Sequence, residues 1–203
     1  MVYKVSKRIF DVVSCMMALI LLAPVFLIIA IAIKCDSRGP VFYKHHRIGK
    51  NGVPFGMYKF RSMIVDADKA FDTFTPEQME EYEENYKLDN DPRVTKVGNF
   101  LRRTSLDELP QLVNVIKGDI SIVGPRPIVE KELESQYTKA EAEKFLSVIP
   151  GITGYWQANG RSSVSYKQRK ALELYYVDNA SFMLDIKIIF KTFSAVLKRD
   201  GAK

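Results

Sequence analysis

Cysteine is scarce in this chain. Only Cys15 and Cys35 occur among its 203 residues. One lies inside an apolar run and the other just beyond it, which gives neither a disulfide framework nor a metal-ligand spacing and fits a reducing compartment. Internal repeats and low-complexity tracts are missing too. The glycine-rich stretch Pro150-Gly151-Ile152-Thr153-Gly154-Tyr155-Trp156-Gln157-Ala158-Asn159-Gly160-Arg161 has neither Walker nor Rossmann spacing, so those phosphate-binding loops are excluded. It reads instead as a loop that lets backbone approach a ligand. Cys35-Asp36-Ser37 is no small-residue cleavage site, and the apolar run before it is longer than a signal-peptide core, so the segment is expected to persist in the mature protein.

What the chain does have is length for one ordinary core plus an anchoring element. Its formal net charge is +6. That suits an anionic partner, but nucleic acid, anionic lipid and phosphorylated substrates satisfy the condition equally.

Val12 to Ile33 carries no charge, and a straight helix of this run reaches roughly 33 Å, enough to cross a bilayer. Pro24, preceded by Ala23, sits near its middle and predicts a kink, since proline removes a backbone donor and clashes with the preceding turn. Lys4, Lys7 and Arg8 precede the run, while Lys34, Arg38, Lys44, Arg47 and Lys50 follow it. Both ends thus carry a cytoplasmic signature. A re-entrant helix-break-helix entering one leaflet satisfies both ends, and a kinked spanning helix is the alternative.

Beyond the turn Ser37-Arg38-Gly39-Pro40, the segments Val41–Tyr43 and Phe55–Phe60 read as short strands of a hairpin around Gly49-Lys50-Asn51-Gly52. Met63 to Asp91 is acidic and reads as a solvated helical excursion, with Thr75 as N-cap, Pro76 in first position and Gln78 completing a capping box. Leu184 to Arg199 predicts an amphipathic helix. Its apolar face holds Ile186, Ile189, Phe190, Phe193, Val196 and Leu197, and its basic face Lys187, Lys191 and Lys198. Such a helix lies in a membrane interface or simply covers a core.

The densest chemical signal is Leu101-Arg102-Arg103-Thr104-Ser105-Leu106-Asp107-Glu108-Leu109-Pro110-Gln111-Leu112. Two carboxylates follow two guanidiniums and open an apolar helix that ends near Gly118. Ser105 with Glu108 forms a capping box, or else the helix starts at Leu109 with Pro110 in first position. Either start sets Asp107 at or beside a helix amino terminus. The helix dipole and the arginines then favour its ionised form, as a carboxylate nucleophile or metal ligand requires. Ordinary capping by Asp and Glu explains the same residues equally well.

In Ser121-Ile122-Val123-Gly124-Pro125-Arg126-Pro127 an apolar strand runs into a turn that fixes Arg126 between two prolines. A guanidinium so held suits a phosphate clamp. Lys59 and Arg61 alternate with aromatics along Tyr58-Lys59-Phe60-Arg61, so both are expected on one polar face, facing either a ligand or solvent.

Taken in order from Lys7 to Leu197, the kinked anchor, Lys-Phe-Arg-Ser-Met, Leu-Asp-Glu-Leu-Pro-Gln-Leu, Gly-Pro-Arg-Pro and Gly-Ile-Thr-Gly-Tyr-Trp-Gln resemble the bacterial sugar transferases, the monotopic phosphoglycosyl transferases. The resemblance implies an α+β chain. Residues 1–36 would form a re-entrant membrane anchor. Residues 37–203 would form a small, mainly helical catalytic domain with a short β-hairpin and interfacial amphipathic helices, at the cytoplasmic face of a bacterial inner membrane.

The resemblance also implies the chemistry. Asp107 would attack the sugar-bearing phosphate of a UDP-sugar and release UMP, and undecaprenyl phosphate would then take the phosphosugar, starting a capsule, exopolysaccharide or O-antigen-type glycan. Glu108 would assist, Asp107 and Glu108 would touch Mg2+, and Lys59, Arg61, Arg102, Arg103, Arg126 and Arg161 would bind the phosphates or nucleotide. The partners implied are the UDP-sugar, undecaprenyl phosphate and the lipid of one leaflet. A homo-oligomer is admitted and nucleic acid is not a partner. Ala23-Pro24 stands where family members commonly have Ser-Pro, which removes one way to satisfy a freed carbonyl at the kink. The chain is expected to be the catalytic core, complete or cut from a longer protein.

Two other readings stay open. Asp66-Ala67-Asp68 is the metal-binding pair of a conventional glycosyltransferase that releases UDP, or a solvated helix face. A membrane-bound scaffold that only binds nucleotide sugars needs the anchor and the basic surface but not the dyad.

Overall fold

The computed structural model describes residues 2–67, 74–85, 88, 91–160 and 164–197, with backbone alone at 81–85 and 195–197. It is a mixed α+β chain with two small two-stranded sheets. Helix α1 (Val2–Asp36) contains no glycine, and its one proline, Pro24, lies within it. The expected helix-break-helix is one continuous helical run in which the donor lost at Pro24 does not end the helix. At about 1.5 Å per residue α1 is roughly 52 Å long. It is long and apolar enough to cross a membrane. Much of its apolar surface lies outside any core: Ile20 and Leu21 are 73% and 77% exposed, and Leu27 and Ile28 are also exposed.

The chain groups into two compact units, one of Met1–Leu21, Lys44–Tyr58 and Pro110–Lys203, the other of Leu22–Tyr43 and Lys59–Leu109. Strands β1 (Phe42–Ile48) and β2 (Pro54–Phe60) pair, with their turn in the first unit. The turn falls where the glycines and Asn51 predicted it, Asn51 taking the left-handed conformation that asparagine tolerates. β1 runs four to five residues past the predicted Tyr43, through Lys44-His45-His46-Arg47-Ile48. Pairing with β2 overrides the polarity of that stretch.

In the first unit, α4 (Gln111–Lys117) ends at Gly118 in the left-handed conformation, as expected, and Arg8 of α1 donates to the carbonyls of Val115 and Ile116 at 2.5 and 2.7 Å. The Val115 carbonyl also accepts the Gly118 N–H at 3.0 Å, while that of Ile116 lies in the last helical turn, where carbonyls lack an intrahelical donor, and the guanidinium also complements the helix dipole. The following strand β3 (Ser121–Val123) pairs in parallel with β4 (Gly151–Thr153), Ser121 opposite Gly151 and Val123 opposite Thr153. Asp11 of α1 is buried and accepts from Ser121 Oγ at 2.6 Å. Cys15, Val115 and Ile120 form the core beside it.

Helices α5 (Glu130–Gln136), α6 (Lys139–Phe145) and α8 (Tyr166–Asn179) enclose a second core of Ile128, Tyr137 and Phe145. Helix α9 (Phe182–Leu197) and α8 close over β3 through Val123, Tyr176 and Ile188. Buried Asp185 of α9 accepts from Tyr3 at 2.9 Å, Lys7 at 2.6 Å and Tyr176 at 2.7 Å, which fastens the start of α1 to this core.

The inward stripe of α9 differs from the predicted one. Asp185, Ile188 and half-buried Thr192 face in, and Thr192 meets Thr153 of β4 at 2.7 Å. Phe190 and Phe193 are 71% and 65% exposed. A buried carboxylate on the inward face rotates the helix away from the stripe that hydrophobicity alone selects. The side chains of Val196, Leu197 and Lys198 lie outside the described set.

In the second unit the far half of α1 supplies Ile29 and Ile33 to a core with Phe60 of β2 and Leu101 of α3 (Lys96–Arg103), flanked by Leu106 and Leu109. Helix α2 (Pro76–Asn85) begins as predicted: Thr75 Oγ1 accepts from Gln78 N at 3.2 Å and Gln78 Oε1 accepts from Thr75 N at 3.0 Å.

Candidate active site

Leu106-Asp107-Glu108-Leu109 shows how the second unit makes a site. Leu106 and Leu109 pack on the Ile29, Ile33, Phe60 and Leu101 cluster, so the two carboxylates between them are carried on a short 3-10 turn, Leu106–Glu108. Ser105 before it is left-handed and caps nothing, and the α-helix proper begins at Gln111 with Pro110 as N-cap. The expected capping box between Ser105 and Glu108 does not form, because the tight turn points both acids elsewhere.

They point to Lys59. Its ammonium lies 2.9 Å from Glu108 Oε1 and 3.4 Å from Asp107 Oδ2. Alternation along β2 explains the placement: Phe60 is buried in the core while its neighbour Lys59 faces the polar side.

Asp107 is buried, 7% exposed. Burial pushes its carboxyl up from the usual aspartate range. The charge of Lys59 pulls it back, Glu108 raises it further and Arg102 contributes a smaller opposing pull. This corrects the expectation that the arginines and helix dipole dominate. Desolvation is the larger effect, and the nearest counter-charge is a lysine.

Arg102 sits in the last turn of α3 and donates from Nε to Ser62 Oγ at 2.9 Å while its side chain stays exposed. Helix α3 is held by two amide caps. Thr95 Oγ1 accepts from Gly98 N at 2.9 Å, and Asp36, the last residue of α1, accepts from Val97 N at 3.0 Å. A hydrogen bond from the Thr95 side chain to Asp36, and then that from Val97 N, hold the Asp36 carboxyl below its usual range. A Cβ at Gly98 would meet the Ser62 carbonyl oxygen at 2.0 Å, so only glycine lets α3 lie this close to the segment after β2.

The remaining candidates divide. Arg61 is buried and donates to the carbonyls of Arg38 and, at 2.8 Å, Ser37. It closes the end of α1 and does not share a ligand-facing side with Lys59, because the strand ends at Phe60 and alternation no longer applies to Arg61. Arg103 is exposed on α3. Arg161, Asp68 and the pairing proposed for Asp66 with Asp68 lie outside the described residues.

Arg126 belongs to the first unit. It follows β3 as expected, and its backbone N–H donates to Glu173 Oε1 of α8 at 3.2 Å. The stretch after Pro150 is not an open loop. It forms β4 and then a short helix α7 (Tyr155–Asn159). A Cβ at Gly151 would lie 2.0 Å from Gly124 N, so its glycine admits a neighbouring strand and not a ligand.

Two hard carboxylate donors converging on one ammonium form a set into which magnesium fits, since that ion is commonly held by one or two carboxylates together with substrate phosphates. Among the described residues no group of three or more acids, cysteines or histidines could hold a metal.

Buried Asp107 and half-buried Glu108 meet one lysine beside an exposed arginine, in the unit that also holds the far half of the long apolar helix, and this is the arrangement of charge in which a transferase site is sought. Comparison names the class: residues 2–199 match the bacterial sugar transferase family. The chain belongs to that family of transferases. It is 48% identical to the exopolysaccharide production protein ExoY of Sinorhizobium fredii, over 98% of this chain and 88% of that one. It is 46% identical to the undecaprenyl-phosphate galactose phosphotransferase of Salmonella typhimurium, over 97% of this chain and 41% of that one. To the UDP-glucose:undecaprenyl-phosphate glucose-1-phosphate transferase of Escherichia coli it is 43% identical, over 94% and 40%. It therefore spans most of the shorter relative and about two-fifths of the longer ones.

Proposed function

We propose that this chain transfers a sugar 1-phosphate from a UDP-sugar to undecaprenyl phosphate, the first membrane-bound step of an exopolysaccharide, capsule or O-antigen-type glycan. The observation that carries the proposal is the convergence of Asp107 and Glu108 on Lys59, in a chain similar to enzymes named for this transfer.

A carboxylate of Asp107 attacks the sugar-bearing phosphorus. The bond from that phosphorus to the bridging oxygen breaks, UMP leaves, and the phosphosugar is held on Asp107. An oxygen of undecaprenyl phosphate then attacks the same phosphorus, the bond to Asp107 breaks, and aspartate is regenerated with release of the diphosphosugar lipid. Lys59 keeps Asp107 charged against its burial, and Glu108 shares and orients that ammonium. Arg102 and Arg126 are each assigned to phosphate oxygens by the family resemblance, since phosphoryl transfer is mostly positioning and charge stabilisation. Magnesium, held by Asp107 and Glu108, would supply further neutralisation of the pyrophosphate.

On this reading the anchor would hold the chemistry at the cytoplasmic face of the bacterial inner membrane, beside the lipid substrate. The exposed apolar flank of α1, its basic residues at both ends and Pro24 support a re-entrant passage into one leaflet, with the exposed Phe190 and Phe193 of α9 in the interface. The continuous helical run through Pro24 favours a spanning helix as the second reading. Labelling a cysteine placed at Val2 and the native, exposed Cys35 in spheroplasts decides between them. Both labelled from the cytoplasm supports re-entry, and opposite sides establish a span.

The reaction itself is tested by incubating the chain with undecaprenyl phosphate and a panel of UDP-sugars. Release of UMP is expected. Release of UDP instead would make the chain a conventional glycosyltransferase, and binding without turnover would make it a scaffold.

A further inference from the structure

Arg126 lies between two residues that have no backbone N–H, so its amide is the one donor in Pro125-Arg126-Pro127. That amide donates to Oε1 of Glu173 at 3.2 Å. Glu173 is 1% exposed on α8, and its Oε2 has no hydrogen-bond partner. A carboxylate in such surroundings is costly, and a glutamine or an apolar residue would fill the same space without that cost.

The groups facing it are all identifiable. Arg169 stands one turn earlier on α8, Arg126 is on the turn after β3, Glu132 is on α5, and Tyr137 follows α5. Arg169 is engaged by Glu132 at 3.0 Å and stacks over Trp156 at 4.4 Å, while the Arg126 guanidinium lies 6.0 Å from the same ring. Arg169, the cation of α8 that faces Glu173, therefore has its own partner, and the directed contact of the carboxylate is with the Arg126 peptide.

We infer that Glu173 is a positioning residue: its buried carboxylate fixes the Arg126 peptide and thereby aims the proline-held guanidinium. The inference rests on the reading of Arg126 as a ligand of substrate phosphate. Burial also pushes the Glu173 carboxyl up to about 7, so the acceptor's charge is marginal at neutral pH and the contact is sensitive to any loss of it.

The test is a double-mutant cycle on the full chain with undecaprenyl phosphate and whichever UDP-sugar of the panel gives the highest turnover. Arg126→Ala is expected to raise KM for the UDP-sugar about tenfold or more. Glu173→Leu, similar in volume but without an acceptor, is expected to raise KM at least fivefold with kcat within about twofold. Glu173→Gln, which keeps an acceptor oxygen, should stay within about threefold of the parent KM. The double variant Arg126→Ala with Glu173→Leu should be no worse than Arg126→Ala alone. A purely structural loss would lower the active fraction and hence kcat, leaving KM in place. Should Glu173→Leu fail to fold, Glu173→Asp, which withdraws the acceptor by one methylene, must show the same rise in KM. An additive double variant, or an unchanged KM in the acceptor-less variant beside a strong Arg126→Ala effect, overturns the role of Glu173. An inert Arg126→Ala overturns instead the phosphate reading of Arg126, and the inference with it.

Discussion

Lys59 Nζ lies 3.4 Å from Oδ2 of Asp107, inside a site where burial otherwise favours the protonated acid. The ionisation of Asp107, the proposed nucleophile, is thus a contest between desolvation and one ammonium. Turnover should rise with pH through a limb above the ordinary aspartate range. Lys59→Met should move that limb to higher pH and lower kcat at neutral pH by a hundredfold or so, the scale of one removed charge-stabilising group. Asp107→Asn should abolish turnover. A pH–rate profile of kcat for parent and Lys59→Met checks the first point; a limb that does not move removes Lys59 from that role.

Arg61 separates structure from chemistry. Its guanidinium closes the end of α1 on the carbonyls of Ser37 and Arg38, a fork that lysine cannot reproduce. Arg61→Lys should lower the thermal unfolding midpoint, with a loss of about 1.5–3 kcal/mol for the charged hydrogen bonds, while KM for the UDP-sugar stays near the parent value. A raised KM with unchanged stability would return Arg61 to the phosphate site.

Gly98→Ala forces a methyl group to within 2.0 Å of the Ser62 carbonyl oxygen. Backbone cannot yield as a side-chain tip does, so the cost should reach about 3 kcal/mol, the upper end of overpacking losses. Because Ser62 also holds Arg102, KM should rise as well. Denaturant melts and steady-state kinetics on the one variant read both effects.

Glu173 makes stability depend on pH in a direction opposite to most acids. Its folded value of about 7 exceeds the 4.5 of an ordinary glutamate in an unfolded chain. The folded chain therefore binds the extra proton between them, and stability falls as pH rises through that window. The loss by pH 8 is on the order of 3 kcal/mol. Glu173→Gln should flatten this dependence and melt higher than the parent at pH 8. Melting midpoints from pH 5 to pH 8 measure it, and parallel curves for the two proteins would exclude the effect.

Local signals in the sequence led directly to local structure. Thr75, Pro76 and Gln78 start α2, Gly118 ends α4, and Asn51 with its glycines turns the hairpin. The dyad was legible as well, since two acids flanked by leucines at 106 and 109 leave little choice of which residues enter the core. What escaped were partners distant along the chain. Asp36 as a cap for α3 and Glu173 as acceptor for Arg126 involve residues 61 and 47 positions apart, which no periodicity connects. Pairing of β4 with β3 hid behind glycines that suggested a loop. The face of α9 was misjudged because hydrophobicity cannot foresee that Asp185 turns inward to meet Tyr3, Lys7 and Tyr176. The capping boxes of α6 and α8, Thr138 with Glu141 and Ser165 with Gln168, are equally local signals written in the sequence.

Asp36 ends the long apolar helix and accepts from the Val97 amide in the first turn of α3, the helix whose last turn carries Arg102. With no linker between them, the two ends of that connection cannot slide independently. Each residue added to or removed from the apolar run after Pro24 would raise or lower the phosphate ligands by about 1.5 Å. In the proposed reaction the anchor would act in this sense as a depth gauge: its length would set how far above the lipid tails the phosphate ligands stand, and hence how much of a polyprenol headgroup must be drawn up to meet them.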